Sequence, residues 1–256
     1  MREFFDTGGM LTSASPPVTT ADRVLQVLAV LAQQGRALSA VELMERTGLA
    51  RSTLYRQLAR LKRWGFLLES DGCYAPGPLS LQLALGFDLA SHLVRHARAD
   101  LQALALQSHE SVGLVVAVND SVICLDMVES QQSLRCSFEK GRSVPLGAGA
   151  SDKCLLAHLP DSIRAATLDR QYPVSSDWAA ARSELQAICG AGFAVTAGEV
   201  DPGVWGVSAP LFGTTRQAVG AITLMAPILR AQGQEQALVG MAVVAAARIS
   251  RRLGIH

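Results

Sequence analysis

The sequence predicts an α+β chain made of two folded parts, a small helical part followed by a larger part based on an antiparallel sheet. Its 256 residues exceed what one core of about 100 to 200 residues usually serves. Apolar residues recur at helical spacing up to about residue 107, and from Val112 onward they form short strand-like runs separated by turns. With 49% hydrophobic and 18% charged residues, the composition is that of a globular protein.

Cysteine usage and targeting patterns bear on the compartment. The five cysteines are widely spread and form no CxxC pair, which favours buried free thiols in a reducing environment. The N-terminus lacks the basic stretch and apolar run of a signal peptide, and nowhere do about 18 apolar residues follow one another. We therefore expect a cytoplasmic protein with no membrane partner.

Residues 1–19 end in a stretch rich in Ser and Pro that has no periodicity, and we expect them to form a disordered tail. A first helix should start at Thr20, whose hydroxyl is available as N-cap. Val24, Leu28 and Leu31 follow at helical spacing, and Gly35 is placed to end the helix.

A second helix is predicted to begin with the capping box Ser39-Ala-Val-Glu and to stop at Gly48. Only a few residues separate Gly48 from a third helix, in which Leu54, Leu58 and Leu61 make one apolar stripe. Two short helices joined by a tight turn that contains glycine form a helix-turn-helix.

The other face of the third helix is basic, with Ser52, Arg56, Arg60 and Arg63 pointing away from the stripe. From Arg51 to Arg63 there are five cations and no acid, a bias that the net charge of +1 conceals. Residues 20–80 carry eight Lys and Arg against five Asp and Glu, whereas residues 81–256 carry fourteen against fifteen. The partner that suits such a surface is the phosphate backbone of DNA.

We expect the N-terminal half of the third helix to enter the major groove. Arg56 and Gln57 are the predicted base readers, because a guanidinium suits guanine and an amide suits adenine. Arg60 and Arg63 are expected to hold phosphates. The predicted DNA-binding set is Arg51, Ser52, Thr53, Tyr55, Arg56, Gln57, Arg60 and Arg63.

Two short strands around Ser70-Asp71-Gly72 follow this helix and predict a hairpin, which in this position is a wing. A plain surface hairpin is the alternative, but the order of elements favours a winged helix-turn-helix domain over residues 20–78. Residues 79–108 are expected to form a linker helix. His92 and His96 lie four apart on it without a supporting carboxylate or cysteine, so we predict no metal site.

The remaining residues, 109–256, are predicted to form an α+β domain on an antiparallel sheet, with helices on one side and room for a pocket. The expected strands span residues 113–118, 122–128, 133–138, 192–196, 206–212 and 218–225, with a turn at Asn119-Asp120. The expected helices span residues 153–159, 162–170, 178–190 and 229–253.

Over about residues 20–254, the order of elements and several phrases resemble the isocitrate-lyase-regulator (IclR) family of bacterial transcription factors. The N-terminal phrases are ADRVLQVLAVLA, LSAVELMERTGLARSTLYRQLARLKRWGFL and DGCYAPGPLSLQLA. The C-terminal phrases are GRSVPLGAGASDKCLLAHLP, GFAVTAGEVDPGVWGVSAPLF and AVGAITLMAP. The second half is the looser match.

The resemblance implies a sequence-specific DNA-binding regulator in which a linker helix joins the winged domain to a GAF/PAS-like effector-binding domain. It implies a homodimer or homotetramer on operator DNA, controlled by a small organic acid and without a cofactor. We expect a repressor, with activation left open by the residues. The implied effector-binding residues are Cys136, Val144, Ala150, Ser151, Thr196, Val204, Gly206, Thr223 and Met225.

Three positions depart from the family pattern. Asp152 occupies a glycine position in the loop before a predicted helix, where it can cap the helix itself and repel a carboxylate ligand. Thr196 replaces an acid and Met225 replaces a serine found in some members, which makes the pocket less polar. These departures favour an effector that is larger or less charged than a two- or three-carbon keto acid.

Two other classes of function compete with a DNA-binding sensor. Gly147-x-Gly149 lacks the third glycine and the parallel βαβ unit of a dinucleotide site, and Ser151 and Lys153 are two apart instead of three. Because no GxSxG occurs either, we predict that the protein is not an enzyme. The second alternative is a DNA-binding protein whose C-terminal domain only dimerises, since the pocket residues also suit a core.

Overall fold

The structure, a computed structural model, describes residues 19–118, 121–136, 138–146, 148–171, 175–214 and 217–254. Three sequence-based expectations concern residues outside these ranges, namely the tail up to residue 18, the Asn119-Asp120 turn and Gly147. The chain forms two compact units, and the boundary between them falls between Leu81 and Gln82.

The N-terminal unit is a helix-turn-helix followed by a hairpin. Its elements are α1 (Thr20–Gln34), β1 (Leu38–Ser39), α2 (Ala40–Thr47), α3 (Arg51–Arg63), β2 (Leu67–Ser70), β3 (Cys73–Pro76) and the start of α4 (Pro78–Ala90). The three strands form one sheet in the order β1-β3-β2, in which the two-residue strand β1 was not predicted.

Capping boxes set the starts of the first two helices. The N-cap of α1 is Thr19 and not the predicted Thr20, because the Thr19 hydroxyl accepts the Asp22 amide at 3.2 Å and the Asp22 carboxylate accepts the Thr19 amide at 2.7 Å. The capping box predicted for α2 is confirmed, with Ser39 and Glu42 joined at 3.3 and 2.8 Å. Local chemistry therefore fixes where both helices begin.

The apolar stripe of α3 forms the core of the N-terminal unit. Leu54, Leu58 and Leu61 are 0%, 1% and 3% exposed, and they pack with Val27 of α1 and Leu43 of α2. Burying each leucine contributes about 1.5 to 3 kcal/mol relative to leaving it exposed. This packing leaves the opposite, basic face of α3 exposed to solvent.

The wing is a two-residue hairpin. Ser70 pairs with Cys73, and the turn residues Asp71 and Gly72 have φ values of +52° and +73°. Positive φ at both central residues is the mark of a type I′ turn, whose twist matches that of the flanking strands. The hairpin predicted from the Asp-Gly pair is confirmed.

The C-terminal unit is built on one antiparallel sheet. Its elements are α5 (His92–Ser108), β4 (Ser111–Val118), β5 (Ser121–Val128), β6 (Ser143–Pro145), α6 (Ala150–His158), α7 (Asp161–Gln171), α8 (Ser175–Ala191), β7 (Ala194–Ala197), β8 (Val204–Phe212), β9 (Ala218–Pro227), α9 (Ile228–Ala231) and α10 (Glu235–Leu253). The six strands lie in the order β6-β5-β4-β9-β8-β7. Contrary to expectation, helices cover both faces, with α5 and α10 on one and α6, α7 and α8 on the other.

The single linker helix predicted over residues 79–108 is two helices. The break lies at Ser91, whose hydroxyl accepts the amide of Val94 at 3.3 Å and so caps α5. α5 is part of the C-terminal core, where Leu101 is 0% exposed against the sheet. Within the described part of the chain, no helix has the length and apolar character needed to cross a bilayer.

Two further expectations for the C-terminal unit are wrong. Residues 133–136 and 138 do not form the predicted strand; Ser137 lies outside the described residues. Leu134 is 68% exposed, and its carbonyl accepts a hydrogen bond from the Arg230 guanidinium at 2.8 Å. The backbone carbonyl of Leu134 is thus bonded to the Arg230 side chain, and the strand that pairs with β5 is β6 instead. The closing helix predicted over residues 229–253 is divided by a turn at Gly233, where φ is +80°.

Candidate functional site

The basic face of α3 is exposed, as the helical period predicts. Ser52, Arg56, Arg60 and Arg63 all face solvent. Thr53, at the start of the helix, is half-buried. The structure therefore gathers most of the predicted DNA-contacting residues on one accessible surface.

An aromatic contact organises the first turn of α3. The Arg51 guanidinium lies over the Tyr55 ring at 5.7 Å from its centroid, and Tyr55 is 42% exposed. A cation placed over an aromatic face within about 6 Å is attracted by the ring. The pair holds a charge and a hydroxyl side by side on the basic face.

Gln57 does not fit the base-reading role predicted for it. Its side chain is 1% exposed, and its carbonyl oxygen accepts a hydrogen bond from the Arg60 guanidinium at 3.3 Å. Gln57 follows Leu54 by three residues and precedes Leu61 by four, so it lies on the buried side of the helix. Its side chain orients Arg60 from the core side instead of facing a base.

Lys62 contacts the wing and not solvent alone. Its ammonium forms a salt bridge with Glu69 of β2 and so ties α3 to the hairpin. The hydrogen bond from Lys62 lowers the pKa of Glu69, which keeps the carboxylate charged. Four of the five cations of α3 therefore remain for a phosphate partner.

The start of α3 is uncapped, a feature that the sequence reasoning missed. Ala50 is the N-cap, no side chain caps the first amides, and the first turn contains no acid. Open amides and the positive end of the helix dipole suit a phosphate oxygen. The signal was present in the sequence, because Ala stands where Ser, Thr, Asp or Asn is usual.

A cavity of about 700 Å³ lies in the C-terminal unit. It is lined by all nine residues that the family resemblance implied: Cys136, Val144, Ala150, Ser151, Thr196, Val204, Gly206, Thr223 and Met225. Register explains part of this set, because Thr196 pairs with Gly206 and Gly206 with Met225 across three neighbouring strands. Directly paired residues point to the same face of a sheet.

Further lining residues escaped the sequence reasoning. Val115 of β4, together with Val122 and Cys124 of β5, extends the apolar wall. The alternating pattern of the predicted strands carried this signal, since Val122 and Cys124 are two residues apart. The β7–β8 loop, residues 198–203, closes another side, and nothing in its composition indicated that position.

A chain of buried hydroxyls joins α6 to the sheet. Ser151 and Thr223 share a hydrogen bond of 2.8 Å, and Thr223 donates to Ser208 at 3.0 Å. Ser208 in turn donates to the carbonyl of Ile222 at 3.3 Å. Because these hydroxyls bond to one another, they fix the position of α6 against the cavity wall.

The N-terminus of α6 points at the cavity and is met by a carboxylate of the chain. The N-cap residue Gly149 has no side-chain cap, and its amide donates to Glu199 of the β7–β8 loop at 3.2 Å. The same carboxylate binds the Lys153 ammonium at 2.8 Å, and Glu184 of α8 binds that ammonium at 2.6 Å. Burial lowers the pKa of Lys153, but these two hydrogen bonds outweigh burial and raise it, so the ammonium stays charged.

Asp152 serves the same helix end, as its position in the sequence suggested. It is 2% exposed, lines the cavity and accepts the Ala148 amide at 3.3 Å. An acid in the first turn also interacts favourably with the helix dipole. A second carboxylate of the chain is thus fixed beside the cavity.

The thiols are not uniformly buried. Cys124 and Cys154 are buried, whereas Cys189 is exposed. Burial raises the pKa of the cavity thiol Cys124 to about 11 and also raises the pKa of Cys136, so both are protonated at neutral pH. Neither cavity thiol has the character of a nucleophile.

Metal-binding geometry is absent from the part of the chain that the structure describes, where no three His, Cys, Asp or Glu side chains come together. His92 and His96 stack with ring centroids 3.8 Å apart. A ring nitrogen of His96 lies 2.8 Å from the His92 carbonyl oxygen. This contact belongs to the helix itself.

Comparison with known families follows the same division of the chain. The IclR helix-turn-helix domain matches residues 20–71, and the C-terminal domain of bacterial transcriptional regulator IclR matches residues 89–251, more than half of the chain. The chain belongs to the IclR family. This family consists of transcriptional regulators and not of enzymes.

Two IclR-type relatives match most of the chain. The HTH-type transcriptional regulator BhcR of Paracoccus denitrificans is 30% identical over 94% of this chain and 89% of its own. The HTH-type transcriptional regulator Rv1719 of Mycobacterium tuberculosis is 33% identical over 85% of this chain and 86% of its own.

A solved structure supports the fold. The crystal structure of an IclR transcriptional regulator from Silicibacter sp. TM1040 has a TM-score of 0.81 and 24% identity, and covers 92% of this chain and 96% of that chain. It has the same architecture, so the predicted combination of a winged helix-turn-helix and an antiparallel α+β domain is confirmed.

Gly149→Ala should destabilise the C-terminal unit. Gly149 has a φ of +90°, and a Cβ atom there would lie 2.7 Å from Cγ2 of Val200. We expect the free energy of unfolding to fall by at least about 1 kcal/mol, measured by urea denaturation of the full chain. The matched control is Gly190→Ala in α8, where a Cβ meets nothing within 4 Å and the helix gains up to about 1 kcal/mol. Equal losses in both variants would contradict the close approach.

Proposed function

We propose that this IclR-family protein is a cytoplasmic repressor that binds operator DNA through α3 and is controlled by a small organic molecule in the C-terminal cavity. The observation that carries the DNA-binding part is the exposed basic face of α3, set between a capped helix and a wing. In a helix-turn-helix, the second helix occupies the major groove.

The side chains of α3 have distinct roles in this proposal. Arg56 reads a base, because it is exposed in the N-terminal half of the helix, and a guanidinium suits guanine. Arg60 and Arg63, nearer the C-terminus, hold phosphates. Gln57 positions Arg60 through their 3.3 Å hydrogen bond. The remaining contacts come from the first part of the helix: Arg51, Ser52, Thr53 and Tyr55.

The size and lining of the cavity support effector binding. Small-molecule sites usually measure about 300 to 1,000 Å³, and this cavity of about 700 Å³ lies within that range. A domain that only dimerised has no need of a cavity of this size with a mostly apolar wall. The cavity therefore favours a sensor over the alternative of a purely structural domain.

An acidic effector needs a cation, and the structure offers one at the cavity wall. Arg142 lines the cavity, and among the described residues no carboxylate lies within ion-pair distance of its guanidinium. Arg135 also lines the cavity but is paired with Glu129 at 2.9 Å. We assign the carboxylate of an organic acid effector to Arg142, with its apolar part against the sheet.

Self-association is supported by α4. Its exposed apolar side chains, Leu81, Leu83, Leu85 and Phe87, are between 45% and 64% exposed. The helix carries a single charged residue, Asp88, and a helix that is apolar all round is normally buried. A second copy of the chain is the partner we propose, because paired half-sites on operator DNA require paired recognition helices.

Substitutions in α3 test the division of roles. Arg60→Ala should weaken binding to operator and random duplexes by the same factor, because phosphates carry no sequence information. Arg56→Ala should cost about 1 to 3 kcal/mol at particular base pairs and relax the preference there. Fluorescence anisotropy on an operator and on single base-pair variants measures both. Equal losses on all sequences for both variants would remove the base-reading assignment.

A thermal-shift screen of branched and aromatic acids, each beside its amide, tests the effector proposal. A ligand of the folded state raises stability by about 2.7 kcal/mol at a hundredfold excess over Kd, and a true effector should also change operator affinity. Arg142→Gln should weaken binding of the acids but not of the amides, whereas the control Arg135→Gln should leave both unchanged. Absence of any hit that alters operator binding would favour the dimerisation-only domain.

Substitution on α4 tests self-association. Leu83→Lys combined with Phe87→Lys should weaken the dimer at least tenfold in sedimentation analysis, because it places charges in an apolar contact. Leu229→Lys is the control for adding a charge at an exposed apolar position, since this residue is 85% exposed on α9. An unchanged dimer in the double variant would show that another surface mediates association.

A further inference from the structure

The N-terminus of α6 is the place in the cavity where a carboxylate ligand would be expected to bind. Its first turn, Ala150 and Ser151, lines the cavity, and no side chain of the N-cap residue blocks the first amides. Unpaired amides and the helix dipole together favour an anion. An acid that entered the cavity would find its strongest electrostatic attraction here.

The chain supplies that anion itself. The two oxygens of Glu199 divide between two partners, one accepting the Gly149 amide at 3.2 Å and the other the Lys153 ammonium at 2.8 Å. These are the two kinds of donor, a helix-terminal amide and a cation, that an external carboxylate would use. Glu199 also lines the cavity, so its carboxylate lies where the cavity meets this helix end.

A second carboxylate of the chain, that of Asp152, adds to the negative charge at this helix end. Asp152 is 2% exposed, lines the cavity and accepts the amide of Ala148, one residue before the N-cap. Two acids of the chain thus accept the two backbone amides that lead into α6, those of Ala148 and Gly149. A ligand carboxylate placed beside them would meet like charge in a partly desolvated site, where repulsion is strong.

The rest of the cavity lining is mostly apolar, which favours an apolar ligand. Val115, Val122 and Phe138 form one wall, and Val204 and Met225 form another. The buried hydroxyls of the cavity, Ser151 and Thr223, already bond to each other. A molecule of two or three carbons would fill only a small part of the roughly 700 Å³ cavity. The apolar side chains of the wall would then remain in contact with water, which is unfavourable.

We infer that Glu199 is a specificity-determining residue: its carboxylate fills the anion position at the start of α6 and excludes small carboxylates, so that the cavity selects a bulky, largely apolar ligand. This inference rests on the proposed effector function and names the class of ligand. The ligand's polar group is then met elsewhere, at the Arg142 side of the cavity.

Acetate is the probe that tests the role of Glu199, because it reproduces the lost carboxylate. Removing the side chain in Glu199→Ala should open the position at Gly149 and Lys153. Purified full-length protein is heated in sodium acetate and in sodium chloride of equal ionic strength. We expect acetate to stabilise Glu199→Ala specifically and to bind it at least tenfold more tightly than it binds the unaltered chain. Glu199→Ser is a second truncation, should the alanine variant fold poorly.

Two matched controls separate the helix end from the cation. Glu184→Ala removes the other carboxylate on Lys153 but leaves the Gly149 amide bonded to Glu199, so acetate should have no specific effect. Glu199→Gln keeps an acceptor for that amide and should also exclude acetate. Failure of acetate to stabilise the truncated variants, or an equal response in Glu184→Ala or the unaltered chain, overturns the inference. Either result leaves the proposed function standing, because the DNA contacts and the effector screen are measured separately.

Discussion

Strand side chains alternate between the two faces of a sheet, and this alternation decides what the C-terminal cavity is made of. Thr223 and Met225 of β9 line the cavity, while Ile222 and Leu224, which alternate with them, are buried in the core formed with α5 and α10. Because helices pack on both faces, the central strands place one set of side chains in a helix-covered core and the alternate set toward the cavity and its neighbouring core. A slip of one residue in register would exchange the cavity lining for the core, so packing on the far face holds the cavity lining in place.

Sequence reasoning succeeded where the chemistry is local. The capping box at Ser39 and the Asp-Gly turn at residue 71 fixed the second helix and the wing, because each depends on a few adjacent residues. The stripe of Leu54, Leu58 and Leu61 likewise depends only on helical period. The nine cavity residues were implied by family resemblance, and the register of the sheet explains why residues as distant as Thr196 and Met225 lie together.

The errors arise where tertiary contacts outweigh local preference. The stretch 133–138 was predicted as a strand, but Arg230 binds the backbone at Leu134, and among the described residues no strand pairs with this stretch. Gln57 suits adenine by its chemistry, yet its angular position on α3 places it with the core leucines. The contact between Glu199 and the start of α6 could not be predicted, because it joins a loop to a helix end fifty residues away along the chain.

The salt bridge between Lys62 and the wing sets a limit on how the protein responds to ionic strength. Each phosphate neutralised on duplex DNA releases counterions and contributes about −0.9 to the slope of log affinity against log salt concentration. With Lys62 paired with Glu69 and Arg56 assigned to a base, three cations of α3 are left for phosphates, so the proposed complex would draw a slope of about −2.7 from one recognition helix. The hairpin therefore moderates the salt sensitivity of operator binding in addition to shaping the domain.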